Sequence, residues 1–216
     1  MLDHAQRRDM LNAARRSGGF TLIELMVTIT LIAVLMLLAI PAFGTWSADA
    51  RVRSTAESLQ NALRMAQLTA VARSRPTVFA LTNATPAANA APVANGRNWY
   101  IETLQMADED EDKDADGFIQ GATVAGQYGV TITGPASLCF NTLGRQVTKT
   151  LSKPSTNCTA PTDDNTVTTT SATPGTYTVS KVGASRKLLV RVYLGGRVRM
   201  CDAAKDFAHK DDPDGC

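Results

Sequence analysis

The chain has 216 residues, a formal net charge of +2, and ordinary apolar, aromatic and charged fractions of 44%, 6% and 19%. That is enough for one domain plus an anchor and excludes wholesale disorder. The surplus charge sits in residues 1–19, where Arg7, Arg8, Arg15 and Arg16 face only Asp3 and Asp9. The remaining residues balance acid against base, so no global attraction to nucleic acid follows, and any such binding needs a local patch.

The stretch "RRSGGFTLIELMV" opens a run from Leu25 to Phe43 that carries no charge. Its 19 residues are long enough, as a helix, to span a hydrocarbon core of about 30 Å. The preceding arginines place residues 1–19 on the cytoplasmic side by the positive-inside rule. An ordinary secretory signal cut after Ala48-Asp49-Ala50 is the rival reading. The run is longer than a usual signal core and begins with Glu24, and both features weigh against that reading. A plain anchor leaves Glu24 unexplained, because a carboxylate at depth in a bilayer costs about 2.5–3.5 kcal/mol and needs a partner.

"GGFTLIELMVTITLIAVLMLLAIP" resembles the class III signal of type IV pilins and type II secretion pseudopilins: a short basic leader, Gly, Phe, and Glu at the fifth mature position. The resemblance implies cleavage after Gly19 by a prepilin peptidase and N-methylation of Phe20. It also implies that Glu24 pairs with the α-amino group of a neighbouring subunit's first residue, or with its own, during assembly.

From Thr45 to about Ser74 the pattern turns helical. Val52, Leu59, Leu63, Ala66 and Ala70 form one stripe, and Arg51, Arg53, Glu57, Arg64 and Arg73 lie mostly off it. Pro76 marks the stop. The spacing predicts one helix of about 50 residues from anchor to Ser74, with two helices broken near Phe43-Gly44 as the alternative, since Pro41 and Gly44 fall together.

Beyond Pro76 the period shortens. "TVFALT", "WYIETLQ", "YGVTIT", "SLCFN", "TYTVSKV", "KLLVRVYL" and "RVRMC" read as strands, "NATPAANAAPVANGRN" as a loop, and the Thr-rich stretch 153–176 as a surface excursion. The expected architecture is therefore α+β, a long N-terminal helix packed on an antiparallel β-sheet domain. Its parts are a leader (1–19), a transmembrane half-helix (20–44), an amphipathic half (45–75) and a periplasmic β domain (76–216).

This arrangement, with "CFNTLGRQ" and "LGGRVRMCD", resembles the minor pilins called FimT/FimU and the pseudopilin GspH. The resemblance implies a type IV pilin fold and an inner-membrane subunit assembled into a pilus or pseudopilus. Its partners would be other pilin subunits, the prepilin peptidase and the inner membrane.

The acidic stretch Asp108–Asp116 holds seven carboxylates and one Lys, and "DKDADGFI" copies the first eight positions of an EF-hand loop. Thr123 falls where the bidentate Glu belongs, so calcium at Asp112, Asp114 and Asp116 competes with a solvated acidic turn. No other cofactor is implied. No catalytic motif is present, and the chain does not read as an enzyme.

Four cysteines with no C-x-x-C pair argue against zinc and fit two disulfides in an oxidising compartment. Of three pairings, Cys139–Cys158 and Cys201–Cys216 close the shortest loops.

In "KLLVRVYLGGRVRMC" a two-residue turn at Gly195-Gly196 would place arginines on the apolar face. A three-residue loop, Leu194 to Gly196, pairs Tyr193 with Arg197, Arg191 with Arg199, Val192 with Val198 and Val190 with Met200. Burial selects this second register, with a left-handed glycine in the loop. It collects Arg191, Tyr193, Arg197 and Arg199 on one outer side, in a segment from Lys181 to Cys201 with six basic residues and no acid.

A solvated strand face is the plainer reading. A basic patch with an aromatic also suits phosphate contact and base stacking, and the family resemblance associates Gly196-Arg197-Val198-Arg199 with DNA binding in natural transformation. Three functions remain open: a minor pilin with a DNA-binding hairpin, a type II secretion pseudopilin, or an unassembled anchored binding module.

Overall fold

The computed structural model describes residues 19–104, 117–124, 129–148, 158, 175–205 and 214–216, and of 38–42 the backbone only. The leader up to Gly18, Asp112, Asp114, Asp116 and nearly all of the Thr-rich stretch lie outside these. The chain divides into two compact units, Met1–Phe43 and Gly44–Cys216.

One uninterrupted helix, α1 (Leu22–Ala72), takes the place of the two-helix alternative. Its start is a half capping box: the Thr21 hydroxyl accepts the Glu24 backbone N–H at 3.3 Å, so the threonine and the acid stand in the T-x-x-E spacing that satisfies first-turn donors. Its end is a Schellman motif. Arg75 N–H bonds the Ala70 carbonyl at 3.2 Å, Ser74 N–H bonds Val71 at 3.2 Å, and Ser74 is left-handed at φ 51°. Pro76 then forbids continuation.

In the first unit, the described apolar side chains from Leu22 to Leu37 are all at least half exposed. Among the described residues no helix is long and apolar enough to cross a membrane, and the expected span 20–44 includes the undescribed side chains of 38–42.

In the second unit the predicted stripe is the buried one. Val52, Ala56, Leu59, Leu63, Ala66 and Ala70 recur at alternating spacings of four and three and are essentially inaccessible. They meet two antiparallel sheets. The first has the order β3-β2-β1-β5-β6, with β1 Thr77–Thr82, β2 Asn98–Thr103, β3 Phe118–Thr123, β5 Ser137–Phe140 and β6 Gln146–Val147. The second has the order β4-β7-β8-β9, with β4 Val130–Thr133, β7 Thr176–Lys181, β8 Leu188–Val192 and β9 Val198–Asp202.

Alternation along the first sheet sends Phe79, Leu81, Trp99, Ile101, Leu138 and Phe140 toward the helix. The second sheet adds Ile132, Tyr177, Val179, Val190, Val192 and Val198 to the same core. Phe79 joins the two, with its ring edge-on to Tyr177 at 5.5 Å and tilted to Trp99 at 6.0 Å.

Two elements depart from the sequence expectation. β3 was not foreseen, because Gly121 interrupts "FIQGAT"; that glycine is needed, since a Cβ there would collide with Pro86 of the overlying loop. β6 has only two residues, below the length at which a pattern can be read.

The far face of the first sheet is buried as well. Val78, Ala80, Tyr100, Leu104 and Cys139 form a second cluster beneath the loop 83–97. That loop is latched through its backbone: Tyr100 OH donates to the Ala90 carbonyl at 2.6 Å, and Asn89 N–H donates to the Glu102 carboxylate at 3.1 Å. The Cys139–Cys158 disulfide ties residue 158 to the same face, and Cys201–Cys216 ties the C-terminus to β9.

Glu102 is buried, and desolvation pushes its carboxyl above the ordinary range against the lowering influence of the Asn89 N–H. With the folded-state pKa above the unfolded value of about 4.3, the group's favourable contribution is complete below that value and is lost as pH rises through the folded pKa. Glu102→Gln keeps an acceptor for Asn89 and is expected to melt at higher temperature than the parent near pH 7. The gap should close as pH falls toward about 4. Thermal melts at both pH values check this, and a lower Tm for the variant at neutral pH would count against it.

Candidate nucleic-acid interface

The hairpin β8–β9 has Arg191 opposite Arg199, Val192 opposite Val198 and Val190 opposite Met200. Its loop closes through Tyr193 N–H to Arg197 O at 3.0 Å and Gly196 N–H to Tyr193 O at 2.7 Å, and Gly196 is left-handed at φ 88°. This is the three-residue register that burial demands, because Val190, Val192 and Val198 must reach the core.

The four expected residues therefore share the outer side, but their environments differ. Arg197 is exposed, and its guanidinium lies 4.4 Å from the centre of the Tyr193 ring, a cation–π contact that occupies one ring face. Arg191 is half-buried, and its Nε has no hydrogen-bond partner among the described residues. Arg199 donates to the Gly215 carbonyl at 3.1 Å and so holds the C-terminal segment beside β9. The Cys201–Cys216 disulfide, Asp202 N–H to Asp214 O at 2.8 Å, and the Lys205–Asp214 ion pair at 2.7 Å reinforce that attachment. The Lys205 hydrogen bond draws the Asp214 carboxyl below its ordinary range.

The loop does not stand alone. A Cβ on Gly196 would run into the Gly144 carbonyl and the Gln67 amide. The Gly144 carbonyl is itself held by Gln67 Nε2 at 3.0 Å, and Gln146 N–H bonds Leu194 O at 3.2 Å. Two sequence motifs, "NTLGRQ" and "LGGRVR", thus meet over the last turns of α1. Arg64, on the same helix, reaches the Val198 carbonyl at 3.3 Å.

Charge is segregated around this junction. Residues 58–76, 141–147 and 188–199, the segments that meet there, contain seven basic side chains and no acid. Neither Arg64 nor Arg145 was picked out from the sequence as a site residue. A glycine–arginine dipeptide followed by a buried residue was the available signal; it occurs at Gly144-Arg145 and Gly196-Arg197, and also at Gly96-Arg97, where the left-handed residue is Asn95 and not the glycine.

At the other end of the second unit, the Ser185 N–H and hydroxyl donate to Asp49 at 2.7 and 2.6 Å. The Ser185 hydroxyl bond, first among several donors, keeps that carboxyl below its ordinary range. The pair clips the β7–β8 turn to α1.

The calcium candidates Asp112, Asp114 and Asp116 lie outside the described residues. Among the described residues no group of three or more metal-ligating side chains occurs.

Comparison with known proteins matches residues 14–40 to the prokaryotic N-terminal methylation motif and residues 55–196 to the type II transport protein GspH family. The chain belongs to the GspH family. This is a group of pilin and pseudopilin subunits that work by assembling with others of their kind, and it is not a group of enzymes.

Similar solved structures include the type IV minor pilin FimU of Pseudomonas aeruginosa, 14% identical, covering 71% of this chain and 90% of that one with a TM-score of 0.43. The minor pseudopilin EpsH of the Vibrio cholerae type 2 secretion system is 11% identical and covers 72% and 99%, with a TM-score of 0.40. No curated protein matches the chain.

The packing of Gly196 gives this GspH-family hairpin a sharp sensitivity. Gly196→Ala places a methyl against backbone at a left-handed position and is expected to destabilise the domain by about 1–3 kcal/mol. Urea denaturation measures it. Gly195→Ala meets no atom within 4 Å and has no left-handed φ, and it serves as the control.

Proposed function

We propose that this protein is a minor type IV pilin whose C-terminal hairpin binds DNA. Before assembly it would be held in the inner membrane by residues 20–44, with the β domain in the periplasm. Three features support the anchored, assembling part of this reading: the methylation-motif match, the exposed apolar side chains from Leu22 to Leu37, and Glu24 in the first turn of α1. Prepilin peptidase cleavage between Gly19 and Phe20 would create the amine that Glu24 pairs with in a neighbouring subunit.

The observation that carries the DNA part is the hairpin itself. Its register turns Arg191, Tyr193, Arg197 and Arg199 outward, on a segment from Lys181 to Cys201 that contains no acidic residue. Such a face attracts phosphate without reading sequence. Membership of a family described by a type II transport protein favours the second reading, a pseudopilin serving protein export. A deletion strain that loses DNA uptake and keeps export supports the first reading, and the converse supports the second.

Arg197→Gln with Arg199→Gln is expected to weaken DNA retardation and flatten its salt dependence, and unchanged retardation would remove this pair from the account. Glu24→Val should abolish incorporation into filaments while leaving the folded domain intact. Filaments containing the variant at parental level would count against the pairing of Glu24, and a parent chain that never enters filaments would count for an unassembled anchored module.

A further inference from the structure

We infer that the DNA-contacting unit is a pair of matched turns, Asn141–Arg145 and Tyr193–Arg197. Arg145 is its second phosphate contact, and Arg199 positions the C-terminal segment. The inference rests on the DNA-binding reading and moves the contact from the strand faces to the junction of two loops.

The turns repeat one design. In each, the glycine N–H bonds a carbonyl three residues earlier: Gly144 to Asn141 at 2.8 Å and Gly196 to Tyr193 at 2.7 Å. Both glycines are left-handed, at φ 72° and 88°. An exposed arginine follows each glycine, and a buried residue, Gln146 or Val198, follows each arginine. With the buried residue facing inward, alternation turns Arg145 and Arg197 to the outside.

The turns pack glycine against glycine, so chain geometry alone puts the two arginine Cα atoms within about 10 Å of one another. Both guanidiniums then reach phosphates of one duplex, whose charges recur every 1.7 Å or so along the axis. Asn141 braces the first turn by accepting from Leu143 N–H at 3.0 Å and Arg145 N–H at 2.9 Å, and Gln67 braces the contact from the helix. The result is two charges on a fixed baseline.

Arg199 is different in kind. Its donation to Gly215 and the adjoining disulfide employ it in holding the C-terminus. Its loss should loosen that segment more than it weakens phosphate contact.

The test is retardation of a mixed-sequence DNA duplex by the full chain in detergent, at several salt concentrations, beside thermal melts. Arg145→Ala and Arg197→Ala are each expected to weaken binding several-fold and to lower the salt slope by about one. Arg199→Ala should lower Tm and leave the slope near the parent's. Arg145→Lys, which keeps the charge, should restore binding and guards against a folding defect in Arg145→Ala.

If Arg145→Ala binds with parental affinity and slope while Arg197→Ala is impaired, the paired-turn inference is overturned and the DNA-binding hairpin stands. If the parent chain itself does not retard DNA, both fall.

Discussion

One apolar stripe on α1 has to satisfy two sheets at once, and most of the second unit follows from that. Val52, Leu59, Leu63 and Ala66 belong to one buried cluster with side chains of both sheets, so the sheets share a core without forming a continuous ladder. Small residues on the stripe, Ala56, Ala62, Ala66 and Ala70, allow the strands close approach. The larger side chains come from the sheets, with Phe79, Trp99 and Tyr177 filling the space between them. A fully buried large side chain of this kind contributes several kcal/mol when measured by truncation, which exceeds any single polar contact described for the domain.

The outward arginines are a consequence of that core. Val190, Val192 and Val198 can reach the helix only in one register, and in that register Arg191, Arg197 and Arg199 face away. A one-residue slip of β9 against β8 would bury the guanidiniums of Arg197 and Arg199 and expose Val198 and Met200. The basic face therefore needs no favourable interaction of its own to form. The glycine contact then adds precision: Gly144 and Gly196 bring the backbones of two turns closer than any side chain allows, and fix the hairpin tip against the end of the helix.

Much of this was legible because it depends on periodicity. The buried stripe, the helix stop before Pro76 and the hairpin register each rest on a count of two or of three to four residues, which the sequence carries locally. What was not legible depends on backbone contacts between distant segments. The loop 83–97 covers the first sheet through the Asn89 N–H and the Ala90 carbonyl, groups every residue has. β3 owes its existence to pairing with β2 across the acidic stretch, in spite of a central glycine. Arg145 read as an ordinary turn residue because its relation to Arg197 exists only once the two glycines touch. That Arg197 lies against one face of the Tyr193 ring was likewise not legible, because it depends on the closed loop.

Glu24 now has two physical roles of unequal size. In the isolated chain it stands in the first turn of α1 with its N–H capped by Thr21, where a carboxylate gains about 0.3–1 kcal/mol from the helix dipole. A bilayer placement near that depth costs about 2.5–3.5 kcal/mol at its worst. The local effect accounts for why the acid does not disrupt the helix start, and it falls short of offsetting burial among lipid chains or neighbouring helices. The difference is the share left to a cationic partner, and the amine that the proposed cleavage after Gly19 would create at Phe20 has the right sign and the right place. Under the same proposal the partner would be the terminus of another copy: both groups lie at the same end of α1, so two chains offset along their axes could exchange them.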